Sequence, residues 1–385
     1  METTTTAGTA PPLRAEEDPH KPDSRVRPQG RPPRLQDIAR ALERRPFTPH
    51  RLFRGGHAQT LRGALRWPRR LRMLREYVSA EERLFDIEPD VRLLAHCRWQ
   101  TRRQERPTIV LVHGLEGSSS SGYMLGTGRK AFRAGFNVVR LNVRNCGGTE
   151  SLTPTLYHSG MSGDILRVFT ELSERDRLPE IYLAGFSLGG NLVLKLAGEL
   201  GADSPPALAG VVAVSPSLDL SACADAIERP QNRIYQWSFI RSLRRTLKRK
   251  HKLYPHLYDL SRLPEMRTIR QFDDFYTAPH GGFRDAADYY ARSSAVALAP
   301  RIRVPTLIIH AQDDPFTPFT PLSHAAVGDN PNVLLLTPPR GGHVAFVGSA
   351  RRGEDRFWAE NRVVQFCALL SRGAADDLHQ RAQGQ

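Results

Sequence analysis

The stretch IYLAGFSLGGNLVL, residues 181–194, constrains the fold more than any other part of the chain. Residues 181–184 are a short apolar run that reads as a buried strand. Gly185, Ser187 and Gly189 follow as G-x-S-x-G, and residues 191–200 carry apolar side chains at helical spacing. Strand, sharp turn and helix in that order make a nucleophile elbow. Such a turn lifts the serine hydroxyl off the end of a sheet, and side chains at the flanking glycines would collide with strand and helix. The amide after the serine, on Leu188, is then free at a helix N-terminus to meet negative charge. A glycine turn with a capping serine would explain the motif alone. The strand before it and the helix after it favour a nucleophile.

Further strand-type runs at residues 108–112, 136–143, 210–215, 306–310 and 333–337 alternate with helical patterns around 123–134, 163–174 and 188–200. That alternation predicts βαβ units and a mainly parallel sheet. Residues 81–86 and 91–99 read as a hairpin, and 354–370 as a closing helix. Residues 217–299 break the alternation, being far longer than a crossover needs, and read as an inserted helical cap. The expected organisation is a disordered basic, proline-rich tail at 1–46, a core at 47–217 and 300–372, a cap at 218–299 and a flexible end at 373–385.

A serine hydroxyl needs a base, and the base needs an orienting acid. Elbow hydrolases carry them in the order Ser, Asp or Glu, His. After Ser187, the strand ending at His310 runs into Asp313-Asp314-Pro315, and the next strand runs into Gly341-Gly342-His343. Acid and histidine thus stand past the C-terminal ends of successive strands, the edge where open parallel sheets build their sites. Asp314 is the preferred acid, because it directly precedes Pro315; Asp313 is the alternative, and one of the pair is a turn or cap residue. His343 is the expected base. The Leu115 amide, in the His113-Gly114-Leu115-Glu116-Gly117 turn, should join that of Leu188 in binding an oxyanion. His113 itself reads as structural. Tyr157, His158, residues 144–148 and residues 272–275 could line or brace a site, with loop and cap structure the plainer reading.

Composition narrows the partners. The net charge of +15 predicts attraction to anionic surfaces. Basic residues are not interleaved with aromatic ones as a nucleic-acid groove requires, so no nucleic-acid partner is expected. No phosphate loop of the G-x-x-x-x-G-K type and no convincing metal-ligand spacing occurs, so no metal is expected. Cys97, Cys146, Cys223 and Cys367 are scattered, which fits a reducing, cytoplasmic setting rather than a disulfide scaffold. No signal pattern or stretch of membrane-spanning length is read. In the cap, Trp237, Ile240, Leu243 and Leu247 form an apolar stripe, with Arg241, Arg244, Arg245, Lys248, Arg249 and Lys250 around it. The plain reading packs the stripe inward and solvates the charges. The functional one lays the helix on the anionic inner face of a membrane to guide lipid.

These residues bring a family into view. The chain resembles the YheT-like branch of the α/β-hydrolases, related to embryogenesis-associated proteins and ABHD lipid hydrolases. The resemblance runs over residues 53–370 and rests on GHAQT at 56–60, HGLEGS at 113–118, GFSLGGN at 185–191, FDD at 272–274, DYY at 288–290, DDPF at 313–316 and Gly342-His343. It implies an α/β-hydrolase fold, a mostly parallel sheet of about eight strands with an inserted cap. It also implies hydrolysis of acylglycerol-like or short-chain carboxylic esters, without a cofactor, through Ser187, Asp314 and His343. The rivals are an acyltransferase using the same three residues and a non-enzymatic lipid-binding protein on a hydrolase scaffold.

Overall fold

The computed structural model describes residues 33–64, 80–323 and 325–371; the expected tail before residue 33 and the end after 371 lie outside them. Eight strands form one sheet: β1 (Glu81–Glu88), β2 (Val91–Arg98), β3 (Thr108–Val112), β4 (Asn137–Leu141), β5 (Ile181–Phe186), β6 (Leu208–Val214), β7 (Thr306–Ile309) and β8 (Val333–Leu336). Their spatial order is β1-β2-β4-β3-β5-β6-β7-β8. The β1–β2 hairpin joins β4 antiparallel, and every pairing from β4 to β8 is parallel. Every residue of β3, β4 and β5 is buried. That explains their continuous apolar runs, since helices cover both faces of a parallel sheet.

Alternate strand residues feed two cores. On one face Val110, Leu183 and Val211 pack with Ile165 and Val168, and with Leu192 and Leu196 of the helix Leu188–Leu200. On the other, Ile109, Tyr182 and Val212 pack with Met124, Val363 and Phe366, from the helices Gly122–Arg133 and Trp358–Leu370.

Two expectations need correction. Within the stretch read as a disordered tail, Pro33–Glu43 is a helix. Leu35, Ile38 and Leu42 are buried with the apolar side chains of the C-terminal helix. Pro33 opens it, where a missing N–H costs nothing. In the cap, Trp237 does not share the buried stripe and Lys250 does not reach solvent. Trp237 is 62% exposed, whereas Lys250 is fully buried, donating to the Glu150 and Thr153 carbonyls. Burial pushes the Lys250 ammonium down to about 8.

The segment between β6 and β7 holds the helices Leu220–Glu228, Arg233–Leu253 and Ala286–Ser293. The first two contribute to an apolar cluster that includes Ile227, Ile240, Leu243, Leu247, Met266 and Phe272, and the third packs its Ala286, Tyr289 and Tyr290 with Leu220 and Ala224. Leu156 and Phe316 join the first cluster from outside the segment, which seats the cap over the C-terminal ends of the strands.

Candidate active site

Ser187 stands between β5 and its helix with φ 55° and ψ −120°, a strained geometry for a residue with a side chain. Neighbouring backbone holds it there. A Cβ on Gly185 would meet the Gly189 oxygen at 2.0 Å, and one on Gly189 would meet the Val112 oxygen at 2.4 Å. The Ser187 amide donates to Val214 O at 2.9 Å, tying the turn to the next strand.

Asp314 and His343 come to the same edge. His343 Nε2 lies 3.0 Å from Ser187 Oγ, and His343 Nδ1 lies 2.9 Å from Asp314 Oδ2. The Asp314 side chain is fully buried. Burial alone would raise its carboxyl, but the adjacent His343 holds it down to about 2, helped by His310 and the Phe316 amide. Asp314 Oδ1 accepts from the Phe316 and Thr317 amides at 2.9 and 3.1 Å. Asp313 does something different: its Oδ1 accepts from the Gly342 amide at 2.9 Å, bracing the histidine loop. Gly342, at φ 59°, packs so closely that a Cβ would meet Gly56 O at 2.4 Å.

The GHAQT segment supplies supports to which the sequence reading gave no role. Thr60 Oγ1 accepts from the His343 amide at 2.9 Å and donates to Gly56 O at 2.7 Å. Buried Gln59 pairs with both backbone groups of Val347, accepting from N and donating to O at 2.7 and 3.0 Å. The motif signals that these residues matter. Their partners, some 280 residues away, are visible only in the fold.

The turn after β3 approaches the serine directly. A Cβ on Gly114 would stand 2.9 Å from Ser187 Cβ. His113 is buried beneath it, with Nε2 accepting from the Val143 amide at 3.1 Å. That fixes the tautomer, so Nδ1–H donates to Gly114 O at 2.8 Å. Burial pushes the imidazole down to about 4, so it stays neutral and structural. Leu188 is the first helical residue, so its amide has no partner within the helix. Leu115 and Leu188 both line a cavity that also contains Ser187 and His343.

That cavity runs from the serine under the cap. Leu156, Ile227, Phe239, Leu243, Phe272 and Phe316 make its walls mostly apolar. Tyr157, His158 and Asp273 also line it, while Arg144 only braces, pairing with Asp164 through two bonds of 2.6 and 2.7 Å. The arrangement places a serine hydroxyl, paired with an imidazole, beside a mostly apolar chamber.

Residues 107–350 match the family described as the alpha/beta hydrolase fold. The chain is 33% identical over 323 residues to YheT of Escherichia coli strain K12, whose name places it provisionally among the esterases; the match covers 82% of this chain and 91% of that one. It is 29% identical over 243 residues to the phospholipase ABHD3 of Mus musculus, covering 63% of this chain and 59% of the relative. Among solved structures, a 2,6-dihydroxy-pseudo-oxynicotine hydrolase superposes with TM-score 0.51 at 16% identity, over 76% of this chain and 69% of the other. At that identity the likeness shows the fold alone. Among the described residues, no helix is long and apolar enough to cross a membrane.

Proposed function

Because the chain belongs to the α/β-hydrolase fold family, on its YheT-like branch, and is a carboxylic ester hydrolase, we propose that Ser187 is its nucleophile, His343 its general base and Asp314 the acid that orients the imidazole. Membership as an enzyme sets aside the non-enzymatic lipid-binding reading. The observation that carries the assignment is the unbroken line Ser187–His343–Asp314, opening on an apolar chamber.

The reaction follows from that line. Ser187 Oγ attacks the ester carbonyl while its proton passes to His343 Nε2. The Leu115 and Leu188 amides meet the oxyanion of the tetrahedral intermediate. His343 returns the proton to the leaving alcohol, and ionised Asp314 stabilises the imidazolium in between. Water, activated by the same imidazole, then cleaves the acyl-enzyme. The apolar walls suit the acyl chain of acylglycerol-like or short-chain esters. Ser187→Ala should abolish hydrolysis of p-nitrophenyl esters, and with ethanol added the wild type should still release mainly free acid. Wild-type rates in the variant would reject the nucleophile; a predominance of ethyl ester would favour acyl transfer.

The cap helix Arg233–Leu253 supplies contact with an anionic lipid surface. Its outer stripe begins with Ile234 and Trp237, 73% and 62% exposed, and continues with exposed Arg241, Arg245 and Lys248. Exposed apolar residues followed by cations on one helical face suit the boundary between acyl chains and headgroups. The opposite face of the same helix, through Phe239 and Leu243, lines the chamber.

A further inference from the structure

The turn that presents the Leu115 amide is gripped from two sides. On the core side, buried His113 holds the Gly114 carbonyl, and the Gly114 amide donates to the Tyr123 hydroxyl at 3.0 Å. On the other side the grip passes through Glu116, held by Tyr157 of the core and by two hydroxyls of the cap helix. This residue sits at φ 53°, a conformation that a residue with a side chain keeps only when its surroundings impose it. Its amide donates to the Tyr157 hydroxyl at 2.9 Å, and that hydroxyl donates back to Glu116 Oε1 at 3.1 Å. Glu116 Oε2 accepts from Ser242 Oγ at 2.6 Å and Thr246 Oγ1 at 2.9 Å. Ser242 and Thr246 lie one turn apart on the cap helix, so two adjacent hydroxyls close on one carboxylate oxygen. Arg249, one residue triplet further, donates to Thr246 Oγ1 at 3.2 Å and orients that hydroxyl toward the carboxylate.

The hydrogen bonds that join Ser187, His343 and Asp314 lie outside the cap. The cap touches their surroundings through Asn232, which donates to Pro315 O at 2.7 Å, and through Tyr235 and Phe239, which pack on Phe316. Its contact with the 114–117 turn is a separate one, made by hydroxyls on a carboxylate. We propose that Glu116 is a positioning residue that transmits the seat of the cap helix to the neighbouring Leu115 amide, so that the oxyanion site is complete only while Ser242 and Thr246 hold its carboxylate. The inference rests on the oxyanion reading given under the proposed function. Without Ser242 and Thr246 the serine and imidazole stay paired, and the 114–117 turn keeps its bonds to His113, Tyr123 and Tyr157 but loses the two that fix Glu116 Oε2. A seated cap helix thus completes the site that stabilises the transition state.

The test compares Ser242→Ala/Thr246→Val, Thr246→Ser and the wild type. Each is assayed for kcat and KM on a p-nitrophenyl ester and for inhibition by an alkyl trifluoromethyl ketone. Ser187 Oγ adds to that ketone's carbonyl, its proton goes to His343, and the resulting oxyanion reports on the two amides. Complete loss of one oxyanion donor costs about 10²–10³ in kcat, so loosening the turn should cost about tenfold to a hundredfold. KM should stay within about twofold, ketone affinity should fall in parallel with kcat, and Thr246→Ser, which keeps the hydroxyl, should behave as wild type. Should the double variant prove poorly folded, Ser242→Ala alone should show the same pattern at smaller size. A variant with lowered Tm but wild-type kcat and ketone affinity would make Glu116 a simple staple and overturn the proposal. If Ser187→Ala is inactive while these variants behave as wild type, this inference alone fails. If Ser187→Ala is active, the nucleophile assignment fails with it.

Discussion

Asp313 and Asp314 are neighbours with opposite surroundings. Burial raises the Asp313 carboxyl even though it accepts from the Gly342 amide. Asp314 is more deeply buried, yet His343 pulls it down to about 2. With its folded value below the ordinary 3.8, Asp314 adds stability that is present above about pH 4 and lost as pH falls toward 2. It stays ionised across the neutral range, as the proposed orienting acid must. Asp314→Asn should therefore lower kcat by about 10⁴-fold, the scale of a triad whose imidazole takes the wrong tautomer. Asp313→Asn should cost far less than that, since it loosens the histidine loop without touching the imidazole. Equal losses in steady-state assays of the two variants would contradict the division of labour. The chain order narrows the acid to this pair, and Pro315 favours Asp314. The contacts behind that preference are visible only in the fold, where the Phe316 and Thr317 amides fix one Asp314 oxygen and leave the other for the imidazole.

At the scale of elements, the cap helix shows where helical periodicity was legible and where it was not. Ile240, Leu243 and Leu247 are buried as their spacing implies, but Trp237 lies about 120° around the helix from Leu243 and faces out. A stripe drawn through all four was too wide. Trp237 instead carries Arg241 over its ring at 5.3 Å, and with Ile234 forms the surface proposed to meet lipid. The wild type should bind anionic vesicles more than neutral ones, and added salt should weaken that binding. Trp237→Ala/Arg241→Ala should reduce vesicle binding several-fold in a sedimentation assay, while hydrolysis of a soluble ester is unchanged. Equal, salt-independent binding to both vesicle types would remove the lipid contact. The helix Pro33–Glu43 is the reverse case. Its Leu35, Ile38 and Leu42 spacing is helical, but the prolines nearby read as breakers, although proline in a first turn is tolerated.

At the scale of the molecule, the parallel strands were legible because burial on both faces leaves an apolar run with no polar alternation. The elbow was legible because its glycines, strand and helix are contiguous. The supports contributed by Gln59, Thr60 and Glu116 were not, since each is defined by a contact with a segment distant in sequence. The sheet turns these separations into adjacency: Ser187, Asp314 and His343 follow β5, β7 and β8 and meet at one edge. The central claim is that this meeting makes the Ser187 hydroxyl nucleophilic. Intact-mass analysis after exposure to a fluorophosphonate tests it most directly. The wild type should gain one phosphonyl group, located at Ser187 by peptide mapping, and both Ser187→Ala and His343→Ala should remain unlabelled. Labelling at another residue, or undiminished labelling of Ser187→Ala, would contradict the account.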